Sequence, residues 1–124
     1  MDHFYEEVYG FSGVDLFALY KKMVSRFDSG SHFVEVGAFL GRSAVFMAVE
    51  IINSGKNIKF DCIDHWQGSK EHEGKDKINL ENLYKDFLKN IEPVKEIINP
   101  VRMNSIEASK LYKPNSLDFI FIDA

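Results

Sequence analysis

The stretch His32-Phe-Val-Glu-Val-Gly-Ala-Phe-Leu-Gly-Arg-Ser43 decides the reading of the fold. It opens with a β-prone run, places glycines at positions 37 and 41, and leads into Ser43-Ala-Val-Phe-Met-Ala-Val-Glu-Ile-Ile52, which is apolar almost all round. That order predicts a strand, a sharp glycine turn and a buried helix. Glycine serves such a turn because a side chain would block tight bending and the close approach of a ligand to the backbone.

Working outward, Asn53-Ser-Gly55 supplies the left-handed residue at which helices commonly stop, and residues 58–63 read as a second buried strand ending at Asp64. Upstream, Ser12-Gly-Val-Asp15 has the form of a capping box, and Leu16, Leu19, Met23, Val24 and Phe27 recur at helical spacing up to Asp28-Ser-Gly30. Downstream, residues 66–76 read as a polar surface loop, and 78–91 as an amphipathic helix with Leu80, Leu83, Tyr84, Phe87 and Ile91 on one face. Residues 96–102 read as a weaker strand, 105–111 as a short helix capped by Ser105, and 116–123 as a strongly β-prone last strand. Strands alternating with helices, and continuously apolar, predict a parallel sheet covered on both faces. The expected architecture is an α/β, Rossmann-like three-layer α/β/α sandwich with strand order 3-2-1-4. Its ligand crevice lies at the carboxyl ends of the strands.

A chain of 124 residues, 45% hydrophobic and 14% aromatic, suffices for one core, so residues 1–124 are read as a single domain. The formal charge of −4 is spread along the chain and its lysines alternate with acids, which argues against nucleic acid as a partner. Cys62 stands alone, so neither a disulfide framework nor a multi-cysteine zinc site is available within one chain. No apolar run approaches the roughly 20 residues that cross a bilayer, and Met1 to Tyr9 carry acids where a signal peptide is basic. The expectation is a soluble, cytoplasmic protein with no membrane partner.

The turn reads acid-x-Gly-x-x-x-Gly, not the G-x-G-x-x-G that receives a pyrophosphate. Glu35 adds a negative charge there, which opposes a diphosphate and suits the cationic amino group of a methionine moiety. Asp64 follows the second strand about twenty residues beyond the last turn glycine, the distance at which an acid meets ribose hydroxyls. Each feature alone has an ordinary alternative: a strand-to-helix connection without a ligand for the turn, and a capping or solvated acid for Asp64. Their joint occurrence in this order favours the ligand reading. His72, with Glu71 and Glu73, defines no metal geometry, and a solvated loop is the better reading.

Three segments, Phe33-Val-Glu-Val-Gly-Ala-Phe-Leu-Gly-Arg-Ser43, Cys62-Ile-Asp-His-Trp-Gln-Gly68 and Leu117-Asp-Phe-Ile-Phe-Ile-Asp-Ala124, resemble successive motifs of class I S-adenosylmethionine-dependent methyltransferases. More narrowly they resemble the methyltransferase family 24 group, and Glu107-Ala-Ser109 also fits that pattern. The resemblance implies S-adenosyl-L-methionine as cofactor and a small-molecule or sugar hydroxyl as methyl acceptor. By it, Glu35, Gly37, Ala38, Phe39, Gly41 and Ser43 would line the methionine end, Asp64 the ribose, His65 and Trp66 the ribose and adenine, and Ser105 the adenine edge. Asp123 would be the catalytic residue, where methyl and acceptor meet. Metal-dependent relatives place one ligand at that position, but this chain alone supports no metal site.

The chain departs from the family by ending at the fourth strand, where relatives continue with further strands, so activity of these 124 residues alone is an open expectation. Two alternatives accompany the enzyme reading: a non-catalytic cofactor-binding or assembly fragment, and a nicotinamide dinucleotide-binding module. An apolar last strand at a sheet edge also predicts a homodimer or partner chain joined through residues 117–122.

Overall fold

The computed structural model describes residues 1–67 and 82–123. A 3-10 turn, Tyr5–Glu7, precedes helix α1 (Val14–Arg26), strand β1 (His32–Val36), helix α2 (Arg42–Ser54) and strand β2 (Lys59–Asp64). Helix α3 (Leu83–Asn90), a 3-10 turn (Glu92–Val94), strand β3 (Ile98–Arg102), helix α4 (Ser105–Ser109) and strand β4 (Phe119–Ile122) complete the order. The strands form one parallel sheet ordered β3-β2-β1-β4. This is the expected α/β arrangement, with β1 at its centre.

Alternation along β1 divides the core. Phe33 joins the large cluster made by α1, α2 and α3 on one face of the sheet, whereas Val34 packs with Ile63 and Ala108 on the other. Helix α2 buries eight of its residues, as its nearly all-apolar sequence requires, and stops at Gly55 with φ +71°. Pro100 lies in β3, at a sheet edge where its missing N–H leaves no ladder bond unmade. On the less covered face, Ile120 and Ile122 of edge strand β4 remain 49% and 69% exposed.

Several boundaries differ from expectation. Helix α1 starts after Gly13 with no side-chain cap, so the apparent capping box does not form. Its buried stripe is Phe17, Tyr20 and Val24, while Leu19 is exposed; apolar residues surround this helix, and the larger rings take the interior. Helix α4 is capped by Asn104, whose side chain accepts from the Glu107 amide, and not by Ser105, its first residue. Strands β3 and β4 are shorter than the β-prone runs that contain them. Helix α3 keeps Leu83, Phe87 and Ile91 inward; Leu80 and most of the expected loop, with Glu71, His72 and Glu73, lie outside the described residues.

A buried acid ties the second face together. Asp61 Oδ2 bonds to His32 Nε2 at 2.7 Å and accepts from the Tyr112 hydroxyl at 2.8 Å, while Oδ1 accepts from Asn99 at 3.0 Å. Burial pushes its pKa up, but the bonds from Asn99, Tyr112 and His32 outweigh that and hold it below the usual value.

Candidate functional site

Between β1 and α2 the backbone makes a left-handed bend. Gly37, Phe39 and Gly41 have φ values of +90°, +51° and +96°. Glycine suits the first and last of these because an L side chain is strained there. Gly41 has a further reason: a Cβ on it would lie 3.2 Å from Phe87 Cδ2 and 3.3 Å from Ile91 Cγ2, so α3 closes directly onto the bend. Asn90 fastens the same helix by donating to Leu40 O at 2.9 Å. The bend is pinned below as well, since the Gly37 amide donates to Ile63 O at 2.8 Å.

Asp64, half-buried at the end of β2, faces this bend. Its Oδ2 accepts from the Phe39 amide at 2.9 Å and its Oδ1 from the Trp66 amide at 2.8 Å. The carboxylate thus orders two loops, and each oxygen keeps a second lone pair for a ligand hydroxyl. Trp66 has φ +53°, is 2% exposed, donates from Nε1 to Phe39 O at 2.7 Å, and packs its ring on Tyr84 and Phe87. It therefore acts as a strut between α3 and the bend in this conformation, with its ring turned to the core. His65 is exposed beside Asp64 and accepts from the Gln67 amide through Nδ1.

Glu35 lies one layer deeper, 1% exposed. Ser43, in the first turn of α2, donates to its Oε1 at 2.8 Å, and the Tyr20 hydroxyl from α1 donates to Oε2. Burial pushes the Glu35 carboxyl up to about 7 against the lowering effect of those two bonds, and the charges of Asp123 and Asp64 add to the rise. Burial, followed by the adjacent Glu35 charge, drives the Tyr20 phenol far above its ordinary value.

The Asp123 amide donates to Val36 O at 2.8 Å, which sets the exposed Asp123 beside the end of β1. Glu35, Asp64 and Asp123 thus occupy the carboxyl ends of three adjacent strands, β1, β2 and β4. Among the described residues, no lysine or arginine forms an ion pair with them; Arg102, opposite Asp64 in register, lies instead over the Tyr84 ring at 4.5 Å. Acidic strand ends beside left-handed glycines suit a ligand carrying a cation and a diol, and disfavour a diphosphate.

Of the residues singled out from sequence, the bend residues, Glu35, Ser43, Asp64, Trp66 and Asp123 are brought together, with Ser43 spending its hydroxyl on Glu35. Ser105 begins α4 as an exposed residue beyond the end of β3. Sequence reading missed Tyr20, Asn90 and Arg42. Arg42 donates to the carbonyls of Ser12, Tyr5 and Val8 and so straps the amino-terminal segment to the start of α2. Among the described residues, no three His, Cys, Asp or Glu side chains converge as a metal site. No helix among them is long and apolar enough to cross a membrane.

The model of the family described as a methyltransferase domain, methyltransferase family 24, matches residues 34–124. No curated protein matches the chain. Among solved structures, one from Klebsiella pneumoniae assigned as an O-methyltransferase superposes with TM-score 0.57 at 15% identity, covering 95% of this chain and 47% of that one. A protein-L-isoaspartate O-methyltransferase gives TM-score 0.55 at 18% identity over 93% of this chain and 33% of its own. An S-adenosylhomocysteine-bound methyltransferase from Podospora anserina gives 0.51 at 13% identity over 93% and 52%. At such identities the likeness is one of fold, and the chain spans about half or less of the length of these relatives.

Proposed function

The chain belongs to the methyltransferase domain family, and from that premise we propose that it forms the cofactor-holding part of an S-adenosylmethionine-dependent methyltransferase acting on a hydroxyl of a small molecule or sugar. The observation that carries the reading is the triad of carboxylates, Glu35, Asp64 and Asp123, around a left-handed glycine bend with no lysine or arginine paired to them among the described residues. Bound S-adenosylmethionine supplies an electrophilic methyl group on a sulfonium sulfur. Two structural relatives are solved with its demethylated product, one from Podospora anserina and one from Plasmodium falciparum, which supports the same cofactor here.

The residues present fit such a ligand. Asp64 offers its remaining lone pairs to the ribose diol, and Gly37, Ala38, Phe39 and Gly41 let the methionine end pass close to the backbone. Glu35 places negative charge beneath that end, where burial strengthens its attraction for an ammonium group. His65, exposed beside Asp64, and Ser105, exposed beyond the end of β3, are assigned to the ribose and adenine. Methyl transfer is an in-line displacement, so catalysis consists mainly of holding donor and acceptor at near-attack distance. Asp123 takes the proton of the acceptor hydroxyl as the oxygen becomes nucleophilic.

Thermal denaturation with S-adenosylhomocysteine and, separately, with NADH tests the reading. A true ligand at a hundredfold excess over its Kd stabilises the protein by about 2.7 kcal/mol, and only S-adenosylhomocysteine is expected to do so. Stabilisation by NADH alone overturns it in favour of a dinucleotide module.

A further inference from the structure

The best-buried polar group beside the site comes from outside the glycine bend. We propose that Tyr20 is a positioning residue for the cofactor site, one that favours the ionised form of Glu35 and holds it in a single orientation beneath the bend. This inference rests on the cofactor reading above and assigns a role to a helix, α1, that the motifs do not include.

The geometry leaves Tyr20 little freedom. It is fully buried in α1, and its ring meets Phe119 and Phe121 of β4 edge-on, at 5.9 Å and 88° and at 5.7 Å and 86°. Those contacts aim its hydroxyl at Glu35 Oε2, and Ser43 occupies Oε1. Two hydroxyl donors, one for each oxygen, favour a carboxylate over a carboxylic acid, because the ionised group is acceptor-only. A phenylalanine would supply the same ring contacts, so packing alone gives no reason for the hydroxyl.

What surrounds Glu35 makes the donors matter. Cys62 lies opposite it on β2 and contributes no positive charge, and the charges that act on it from the strand ends, Asp64 and Asp123, are both acidic, with His65 exposed beyond Asp64. Among the described residues, burial and these acids favour protonation, and Tyr20 and Ser43 oppose it. Loss of one donor therefore raises the pH at which Glu35 ionises, and with it the pH at which the crevice attracts a cationic ligand group.

The experiment is calorimetric titration of wild type and Tyr20→Phe with S-adenosylhomocysteine from pH 6 to 9. Wild-type affinity is expected to fall as pH drops through about 7. In Tyr20→Phe that fall is displaced upward by about one to two pH units, the effect of losing a hydrogen bond to a charged group. At pH 7.5 this reads as an affinity loss of about three- to twenty-fivefold, shrinking at pH 9 to about twofold for a two-unit displacement and to almost nothing for a one-unit displacement. Ser43→Ala, an independent variant, is expected to displace the profile in the same direction, and Glu35→Gln to flatten it. A wild type that binds, with a Tyr20→Phe profile that superimposes on it or lies below it by one constant factor at all pH values, overturns the positioning role alone. Absence of wild-type binding at every pH overturns the cofactor reading and this inference with it.

Discussion

Replacing Gly41 by alanine probes the joint between the bend and α3. Gly41 has φ +96°, and an added Cβ would stand 3.2 Å from Phe87 Cδ2 and 3.3 Å from both Phe87 Cε2 and Ile91 Cγ2. Two costs follow. A non-glycine residue at such a φ costs about 1–2 kcal/mol. Crowding a fully buried ring and an equally enclosed isoleucine adds about 1–3 kcal/mol, because neither neighbour has space to retreat. The reduced freedom of the unfolded chain returns about 0.4–1 kcal/mol. The net loss is about 2–4 kcal/mol, read as a lower urea midpoint at unchanged slope. Gly30→Ala is the internal control: its φ of +95° is nearly the same, but nothing lies within 4 Å of its Cβ, so only the backbone cost applies. If Gly41→Ala is no more destabilising than Gly30→Ala, α3 does not close on the bend as described.

Three further outcomes are expected. Asp64→Ala leaves the Phe39 and Trp66 amides without their acceptor and should cost about 2–4 kcal/mol by urea denaturation, with Asp64→Asn milder because one acceptor oxygen remains. The single tryptophan, Trp66, is 2% exposed, so native emission should be blue-shifted and move to the red in the same transition that circular dichroism detects; native emission typical of exposed indole would contradict its place in the core. Glu35 has its folded pKa raised from 4.5 to about 7, so the folded state binds a proton that the unfolded state releases, and its contribution to stability declines as pH rises between those values. The decline amounts to about 3 kcal/mol, at 1.36 kcal/mol per unit. Glu35→Gln should remove that slope from a series of urea midpoints between pH 5 and 8, and an unaltered slope would refute the assignment.

Elements whose sequence and environment agree were legible in advance. The β1-bend-α2-β2 unit followed from glycine spacing and apolar runs, since a central parallel strand and an enclosed helix tolerate little else. Caps and faces were harder. Ser105 and Ser12 have the chemistry of caps, yet Asn104 and Gly13 take those positions, because a shift of one residue is decided by backbone path and not by side-chain type. In α1 the stripe of leucine and methionine competed with Phe17 and Tyr20, and helical period alone could not choose between them. The site shows the same division. Asp64 and the glycines announce themselves by spacing, whereas Tyr20 and Asn90 reach the site only through tertiary packing across 15 and 50 residues of chain. The available signal was a tyrosine among the apolar positions of an amphipathic helix, whose hydroxyl must find a partner once buried.

A crystal structure with S-adenosylhomocysteine is the most direct test of an acidic bend that receives a methyl donor. The account predicts the ribose hydroxyls on Asp64 and the amino acid end against Gly37 to Gly41, above Glu35. A ligand seated elsewhere, or an Asp64 that makes no contact with the sugar, would contradict it.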